Sequence, residues 1–351
     1  MGKDSKRPLM QPTTHNLPPN CLVGQGAFTY TPQTDWCQFP SGWDLGEVTA
    51  VATDSRDRAF VFSRTENPVL VFDRAGQFLF RWGQGLFLRP HGIFIGPDDA
   101  VYCTDDADHT VRKFTPEGEL LLTLGKSGCP SDTGAFSVDY RNIRRAGPPF
   151  NFPTNLALAA DGSMYVADGY GNARIHKFTT DGQFLLSWGE PGSEPGQFHV
   201  PHGIAVDGNG LVYVADRENS RIQTFTPEGQ FVQFWTDVAR PCEIFVDRSD
   251  RVFVAELGYR AGMFDGSKPP TPDATGGRVS IFSSNGELLA RWGGGNRPCE
   301  PGDFFAPHDI WVDSRGDLYV SEVTHTAGIK RGLIGPECHT LQKFVNTSTA
   351  A

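Results

Sequence analysis

Short apolar runs separated by polar turns follow one another along nearly the whole chain, and the same order of runs returns six times. Each unit has an apolar strand that ends near an acidic residue, a polar turn, a second strand and then a third strand. A meander of four strands in roughly 40 residues is typical of one β-propeller blade. The sequence therefore predicts an all-β fold, a six-bladed β-propeller, whose units begin at residues 48–64, 90–106, 153–169, 201–217, 241–257 and 307–323.

Turn chemistry supports this prediction within a single unit. Residues 201–235 contain the runs GIAVD, LVYVAD, RIQTFT and FVQFW, separated by turns such as GNG and RENS. Dipeptides such as NG, DG and EG between apolar runs favour hairpins, because these turns need positive φ. The sixth unit stops after its third strand, TLQKFV, so we expect residues 26–39 to supply the missing fourth strand and close the ring.

The expected domain organisation is one propeller with two insertions. Residues 1–20 are expected to form a flexible segment, and residues 21–347 the propeller. The repeat is interrupted at 126–150, between the second and third units, and at 258–276, inside the fifth. Long loops in a compact repeat fold often carry function, and the second insertion is expected to lie within reach of the channel.

Composition argues against several classes of partner. The chain has 41 acidic and 31 basic residues and a formal charge of −10, so we expect no nucleic acid partner. No apolar run approaches the roughly 18 residues of a membrane span, and the first residues lack a signal-peptide core, so we expect no membrane association. Seven scattered cysteines without a CxxC pair predict reduced thiols and a cytoplasmic location.

Three histidines share one position of the repeat. His91, His202 and His308 each follow a proline at the start of the first strand of the second, fourth and sixth units. First strands line the channel of a propeller, so three histidines on alternate blades, about 120° apart, converge on the axis. Three imidazoles with open coordination positions suit Zn²⁺ or another divalent transition metal. The alternative is that Pro-His is a structural feature of the repeat.

The odd-numbered units argue against that alternative, because they carry other residues at the same position. These residues are Thr49, Thr154 and Cys242.

Two arginines and a tyrosine lie where the second strand returns to the same face. Arg64 and Arg217 stand fifteen residues after the ring position, and Tyr170 is one place beyond that point in the third unit. A metal, two guanidiniums and a phenol around one opening suit an anionic substrate. Alternatively, each arginine pairs with an acid of a neighbouring turn. Asp309 directly follows the third histidine, and we expect it either to bind a hard cation or to orient an imidazole.

These residues carry a resemblance to a known family. The repeats are of the NHL type, and the segments DGYGNARI (168–175), VPHGIAVD (200–207), ADRENSRIQ (215–223) and APHDI (306–310) resemble those of peptidyl-α-hydroxyglycine α-amidating lyases. The resemblance covers about residues 46–345. It implies a lyase that cleaves a small carboxylated carbinolamide into an amide and glyoxylate.

The resemblance also assigns roles to residues. It implies that the three histidines hold Zn²⁺, that Tyr170 is the general base, and that Arg64 and Arg217 orient the substrate and its carboxylate. A structural Ca²⁺ is implied on the Asp309 side chain and the backbone carbonyls of Val51 and Ile93.

The chain departs from this family at several places. Gly171 replaces the cysteine beside the tyrosine, Tyr213 and Thr224 replace another cysteine pair, and Ala306 replaces a methionine near the third histidine. The family's disulfides are therefore expected to be absent.

Two other functions stay open from the sequence. One is a propeller hydrolase or lactonase with an axial Ca²⁺ held by carboxylates and amides. The other is a non-catalytic NHL platform for protein or RNA, for which the acidic charge and the axial histidines are poorly suited.

Overall fold

The computed structural model describes residues 22–40, 42–263 and 275–348. The chain begins with a hairpin of β1 (Val23–Gln25) and β2 (Phe28–Gln33). Blade one contains β3 (Val48–Thr53), β4 (Ala59–Ser63), β5 (Val69–Phe72) and β6 (Phe78–Trp82). Blade two contains β7 (Pro90–Ile95), β8 (Val101–Asp105), β9 (Thr110–Phe114) and β10 (Leu120–Gly125). Blade three contains β11 (Asn155–Leu158), β12 (Met164–Asp168), β13 (Arg174–Phe178) and β14 (Phe184–Trp188).

The remaining blades repeat the same antiparallel meander. Blade four contains β15 (Pro201–Val206), β16 (Val212–Asp216), β17 (Arg221–Phe225) and β18 (Phe231–Trp235). Blade five contains β19 (Pro241–Val246), β20 (Val252–Glu256), β21 (Arg278–Phe282) and β22 (Leu288–Gly293). Blade six contains β23 (Pro307–Val312), β24 (Leu318–Glu322) and β25 (Leu341–Asn346), and a short helix α1 (Thr324–Ala327) precedes β25. Short 3₁₀ helices lie at Tyr140–Asn142, Arg217–Asn219 and Ile329–Arg331.

The six sheets close into a ring, which confirms the all-β six-bladed propeller. The first strands contact one another in order from β3 to β23, and β23 contacts β3. The first and second strands of blade one are buried throughout, whereas its fourth strand, β6, alternates between exposed and half-buried residues. Apolar side chains fill the space between blades, so each sheet is stabilised by its neighbours.

Tryptophans at the ends of the fourth strands occupy the wedges between blades. Trp82 of blade one lies 5.0 Å from Phe114 of blade two, measured between ring centroids. Trp188 lies 5.6 Å from Phe225 in the same way. These tryptophans therefore fill space between neighbouring blades.

The ring closes through the N-terminal hairpin, which supplies the fourth strand of blade six as expected for residues 26–39. Strand β2 pairs antiparallel with β25, with Tyr30 opposite Asn346 and Pro32 opposite Phe344. Blade six thus contains five strands in the order β1, β2, β25, β24, β23. The structure joins both ends of the described chain in one sheet.

One cysteine prediction is wrong. Cys299 and Cys338 form a disulfide, although 39 residues separate them. The loop before β23 and the loop before β25 meet on the same face, a proximity that the spacing of cysteines in the sequence does not reveal. Disulfides are typical of oxidising compartments, so Cys299 and Cys338 do not support the expected cytoplasmic location. Cys37, Cys103, Cys129 and Cys242 are free thiols.

The two insertions begin on the face where the first strands start. Residues 126–150 form a loop with one 3₁₀ turn, and Tyr140 of that turn lies 5.3 Å from His199 between ring centroids. Most of the second insertion, residues 264–274, lies outside the described residues, as does the expected flexible segment 1–20. Among the described residues, no helix is long and apolar enough to cross a membrane.

Candidate metal centre and substrate site

Each ring histidine sits at an irregularity in its strand pair. In β7 and β8, Pro90 pairs with Asp105 and Gly92 pairs with Thr104, so the register shifts around His91. The same shift occurs around His202 and His308. A bulge of this kind re-aims a side chain, and here it directs the imidazoles toward the axis.

The three imidazoles meet at the centre of the ring. The ring centroids of His91, His202 and His308 are 4.8 Å apart in every pair. One nitrogen from each residue lies within 4.8 Å of the others, and all three side chains are buried. The three histidines that the sequence places on alternate blades therefore lie together in the structure.

Backbone carbonyls of the intervening blades fix the imidazole orientation. The Nδ1 atoms of His91, His202 and His308 lie 2.7, 2.9 and 2.8 Å from the carbonyl oxygens of Thr154, Cys242 and Thr49. A carbonyl only accepts, so each Nδ1 carries the proton and donates it. Each Nε2 therefore presents a lone pair toward the axis, as a metal ligand must.

Burial favours the neutral form of these three imidazoles. Burial, reinforced by nearby cationic groups including Arg64, lowers the pKa of His91 well below its usual range. Burial also lowers the pKa of His308 to about 3. Neutral imidazoles with aligned lone pairs fit a divalent transition metal ion, so the three residues can hold a metal.

Tyr170 lies directly against this cluster. Its hydroxyl oxygen is 3.0 Å from Nε2 of His202 and 3.1 Å from Nε2 of His91. Nη1 of Arg217 donates to the same oxygen over 3.2 Å. The structure therefore places one phenol oxygen between the axis-facing nitrogens of two histidines and a guanidinium.

Glycines on both sides allow Tyr170 to approach. A Cβ on Gly169 would lie 2.0 Å from the carbonyl oxygen of Pro201, and one on Gly171 would lie 2.4 Å from Oδ1 of Asn151. The second contact gives a physical reason for the departure from the family at Gly171, because no side chain fits beside Asn151.

Both predicted arginines lie at the opening and both also pair with acids. Nε of Arg217 donates to Glu218 over 2.9 Å, and Glu218 accepts from Arg240 as well. Nη1 of Arg64 donates to Glu47 over 2.5 Å, and its Nε donates to the carbonyl of Pro90, next to His91. Arg217 therefore pairs with an acid and also contacts Tyr170, so both interpretations made from the sequence apply to this residue. No described hydrogen bond links Arg64 to Tyr170.

Asp309 belongs to a second layer of the channel, one residue further along each first strand. It is buried, and its carboxyl contacts the backbone amide of Val51. Val51 and Ile93 take equivalent places in β3 and β7, and both are buried. Burial, together with the neighbouring carboxyl of Glu243, raises the pKa of Asp309 well above its usual range.

Sequence reasoning missed two residues of this layer, Glu243 and Asn155. Glu243 follows Cys242, and its carboxylate accepts hydrogen bonds from the Asn155 side chain and from the amide of Ile244. Asn155 and Glu243 belong to blades three and five. Blade four, which lies between them, carries Gly203 at this level, and the absence of a side chain there leaves room for their hydrogen bond. The available signal was their position, since both directly follow a ring residue.

Sequence reasoning also missed Arg89, two residues before His91. Its Nε and Nη2 donate to the two carboxylate oxygens of Asp106 over 2.5 and 2.7 Å. Its guanidinium carbon lies 5.9 Å from the ring centroid of Tyr170 and 5.9 Å from that of Phe152. The opening therefore has a third guanidinium beside the phenol.

Comparisons with known proteins confirm the resemblance to NHL-repeat proteins and amidating lyases. The NHL repeat pattern matches residues 198–225. NHL repeat-containing protein 3 of Mus musculus is 34% identical over 192 residues, which cover 51% of this chain and 52% of that protein. Peptidyl-alpha-hydroxyglycine alpha-amidating lyase 1 of Drosophila melanogaster is 31% identical, covering 54% of this chain and 39% of that protein.

A longer match is found with a monooxygenase. Peptidylglycine alpha-amidating monooxygenase of Rattus norvegicus is 31% identical over 345 residues, which cover 86% of this chain and 32% of that protein. The chain thus spans about half the length of NHL repeat-containing protein 3 and about a third of the monooxygenase.

Solved structures share the fold. A streptogramin B lyase has a TM-score of 0.55 at 11% identity, covering 92% of this chain and 99% of that one. A gluconolactonase from Xanthomonas campestris has a TM-score of 0.54 at 14% identity, covering 86% of this chain and 87% of that one. At these identities the likeness concerns the propeller fold alone.

Proposed function

We propose that the protein is a metal-dependent carbon–nitrogen lyase that cleaves a small carboxylated carbinolamide into an amide and glyoxylate. The observation that carries this proposal is the position of the Tyr170 hydroxyl, within 3.1 Å of two ring nitrogens and 3.2 Å from Arg217. A phenol, a metal-binding cluster and a guanidinium around one point suit proton abstraction from a hydroxyl. Similarity to the amidating lyases supports the same reaction class.

The metal would be held by Nε2 of His91, His202 and His308. Three neutral imidazoles favour Zn²⁺ or another divalent transition metal over Ca²⁺, which prefers oxygen ligands. When bound, such an ion supplies a Lewis acid that makes a nearby hydroxyl more acidic and stabilises the developing negative charge.

Tyr170 acts as the general base. As phenolate, held by the donor Nη1 of Arg217, it takes the proton of the substrate hydroxyl. The electron pair of that O–H bond forms the C=O bond of glyoxylate, and the C–N bond breaks with its pair on nitrogen. Tyr170 then returns the proton to the nitrogen, which gives the neutral amide and restores the phenolate.

The substrate carboxylate is bound by guanidiniums at the opening. The Arg217 side chain is 10% exposed and already touches Tyr170, so it reaches the group next to the reacting carbon. Arg64 approaches from blade one with its Nη1 fixed by Glu47. Charge-assisted hydrogen bonds of this kind orient a carboxylate and leave its neighbouring hydroxyl near Tyr170.

The test is incubation of the zinc-loaded protein with α-hydroxyhippurate, followed by assay of glyoxylate and benzamide in equal amounts. Tyr259→Phe is a control that removes another tyrosine hydroxyl, one that contacts Ser220. We expect product from the wild type and from this control, and none from His202→Ala. Absence of glyoxylate from a protein shown to contain the metal overturns the proposal.

A second candidate function is a hydrolase or lactonase with an axial Ca²⁺. The layer that contains Glu243, Asp309 and the Asn155 amide favours it, because oxygen ligands suit Ca²⁺. Metal analysis of the purified protein distinguishes the two functions. Ca²⁺ without a transition metal, together with lactone hydrolysis, supports the hydrolase, whereas a transition metal with glyoxylate release supports the lyase.

A further inference from the structure

Two positions of the repeat face each other at the opening of the channel. They lie two residues before and fifteen residues after the ring residue, and backbone hydrogen bonds of 2.9 to 3.1 Å join them in four blades. The joined pairs are Arg64 with Glu47, Arg217 with Val200, Leu257 with Arg240, and Val323 with Ala306. Side chains at both positions therefore lie at the same level of the channel, between the three ring histidines and the opening.

Blades one and two carry the same ion pair at this level in opposite order. Blade one has the acid before the ring residue and the arginine after it, as Glu47 and Arg64. Blade two has Arg89 before the ring residue and Asp106 after it. Blade two therefore carries its guanidinium at the position before the ring residue, where blade one carries the acid.

Arg89 is rigid and open toward the solvent. Its Nε and Nη2 are tied to Asp106, whose side chain is fully buried. Its Nη1 has no hydrogen-bond partner among residues 22–40, 42–263 and 275–348. The Arg89 side chain is 34% exposed, whereas that of Arg64 is 22% exposed and that of Arg217 is 10% exposed. Arg89 is therefore the outermost of the three guanidiniums.

We propose that Arg89 binds a second anionic group, carried by the acyl part of the substrate. This inference rests on the proposed function, which places the carboxylate and hydroxyl of the carbinolamide at Tyr170 and Arg217. The acyl group on nitrogen is the largest substituent of the reacting carbon and would extend toward the opening, where Arg89 is the most exposed of the three guanidiniums. The substrate class is then an N-acyl-α-hydroxyglycine whose acyl group bears a carboxylate or a similar anion.

The test compares two stable ligands that lack the reactive hydroxyl. One is 4-carboxyhippurate, and the other is 4-carbamoylhippurate, which has nearly the same shape without the second charge. Calorimetric titration of the metal-loaded protein should give about ten-fold tighter binding of the dianion. In Arg89→Met the ratio of the two dissociation constants should fall to about one.

Two results overturn the inference. They are equal binding of both ligands by the wild type and an unchanged ratio of the two dissociation constants in the variant. An unchanged ratio in which both ligands bind more weakly would show that Arg89 serves the first carboxylate.

Loss of Arg89 leaves the carboxylate of Asp106 buried without its partner, so the variant itself can unfold. The double variant Arg89→Met with Asp106→Asn removes both charges and should give the same ratio near one. Arg58→Met is the matched control, because Arg58 donates to the fully buried carboxylate of Asp54 at the opposite end of β3. It should keep the wild-type ratio.

Turnover separates this inference from the proposed function. N-(4-carboxybenzoyl)-α-hydroxyglycine and its 4-carbamoyl counterpart are offered to the same metal-loaded proteins. Glyoxylate from neither compound overturns the lyase, while the ratio of dissociation constants still decides the role of Arg89. Glyoxylate from both at equal kcat/KM, with equal binding, keeps the lyase and overturns the second anion site.

Discussion

The Nδ1 atom of His202 lies 2.9 Å from the backbone carbonyl of Cys242, one blade further around the ring. Blade two depends on blade three in the same way, and His308 of blade six depends on Thr49 of blade one. The even blades therefore supply the imidazoles, and the odd blades orient them through backbone atoms. A side chain is not needed for this second contact, which is why threonine and cysteine serve equally at the odd positions.

Removal of one ring histidine should abolish metal retention. We expect the wild type to keep about one transition metal ion after dialysis, and His202→Ala to keep none, because two imidazoles bind much more weakly than three. His199→Ala is the control, since His199 contacts Tyr140 outside the ring and should leave the ion in place. Elemental analysis measures both. Retention by His202→Ala would show that the ion is bound elsewhere.

Tyr170→Phe should separate chemistry from binding. The substitution removes the oxygen that Arg217 holds and should lower kcat by at least about 100-fold. The dissociation constant of hippurate should change far less, because the ring and the arginines stay. Steady-state kinetics and titration give the two quantities. An equal loss in both would make Tyr170 a binding residue instead of the base.

The repeat made part of this site predictable. Equivalent positions on equivalent strands point to one axis, so the register located His91, His202 and His308, whereas Tyr170 lies one place beyond the equivalent position of its blade. Contacts that cross the channel could not be predicted in this way. The hydrogen bond between Asn155 and Glu243 depends on the spacing of non-adjacent blades and on Gly203 of blade four, which has no side chain. Register gave no signal for that spacing.

Arg89 was missed for another reason. Its side chain reaches the level of Arg64 from the opposite side of the hairpin, and only the ion pair with Asp106 shows that the two positions are interchangeable. The disulfide was missed because it joins two loops that belong to no repeat position.

Ring closure should depend on the N-terminal hairpin. Tyr30 of β2 is 1% exposed and lies 5.4 Å from Trp292 of blade five between ring centroids. Tyr30→Ala should lower the free energy of unfolding by about 3 to 5 kcal/mol, as expected for a large buried aromatic. Leu22→Ala, at a residue that is 57% exposed, should change it little. Similar unfolding midpoints of both variants in urea would mean that β2 is dispensable.

Loss of the disulfide should destabilise the protein. The bridge between Cys299 and Cys338 closes a loop of 39 residues, for which chain entropy gives about 4 kcal/mol at 25 °C. Cys299→Ser should therefore lower Tm in thermal unfolding, and a reducing agent should lower the wild-type Tm to a similar value. Cys129→Ser, at a free thiol, should keep the wild-type Tm and should respond to the reducing agent as the wild type does. An unchanged Tm after reduction would contradict the bridge.

The buried carboxyl of Glu243 should make stability depend on pH. Burial raises its pKa to about 8, whereas the unfolded chain has an ordinary value near 4.5. The folded state therefore holds a proton that the unfolded state releases between these values, and stability falls as pH rises from about 5 through 8. Glu243→Gln removes this titration while the side-chain shape and the contact with Asn155 are retained.

In the presence of a chelator, the Tm of Glu243→Gln minus that of the wild type should increase by several degrees between pH 5 and pH 8.5. Glu228→Gln, at an exposed position, should show a constant difference over the same range. Addition of Ca²⁺ at pH 8 should raise the wild-type Tm more than that of Glu243→Gln, because the charged carboxylate gains a cation. A pH-independent difference for Glu243→Gln would mean that the carboxyl is ionised throughout in the folded protein.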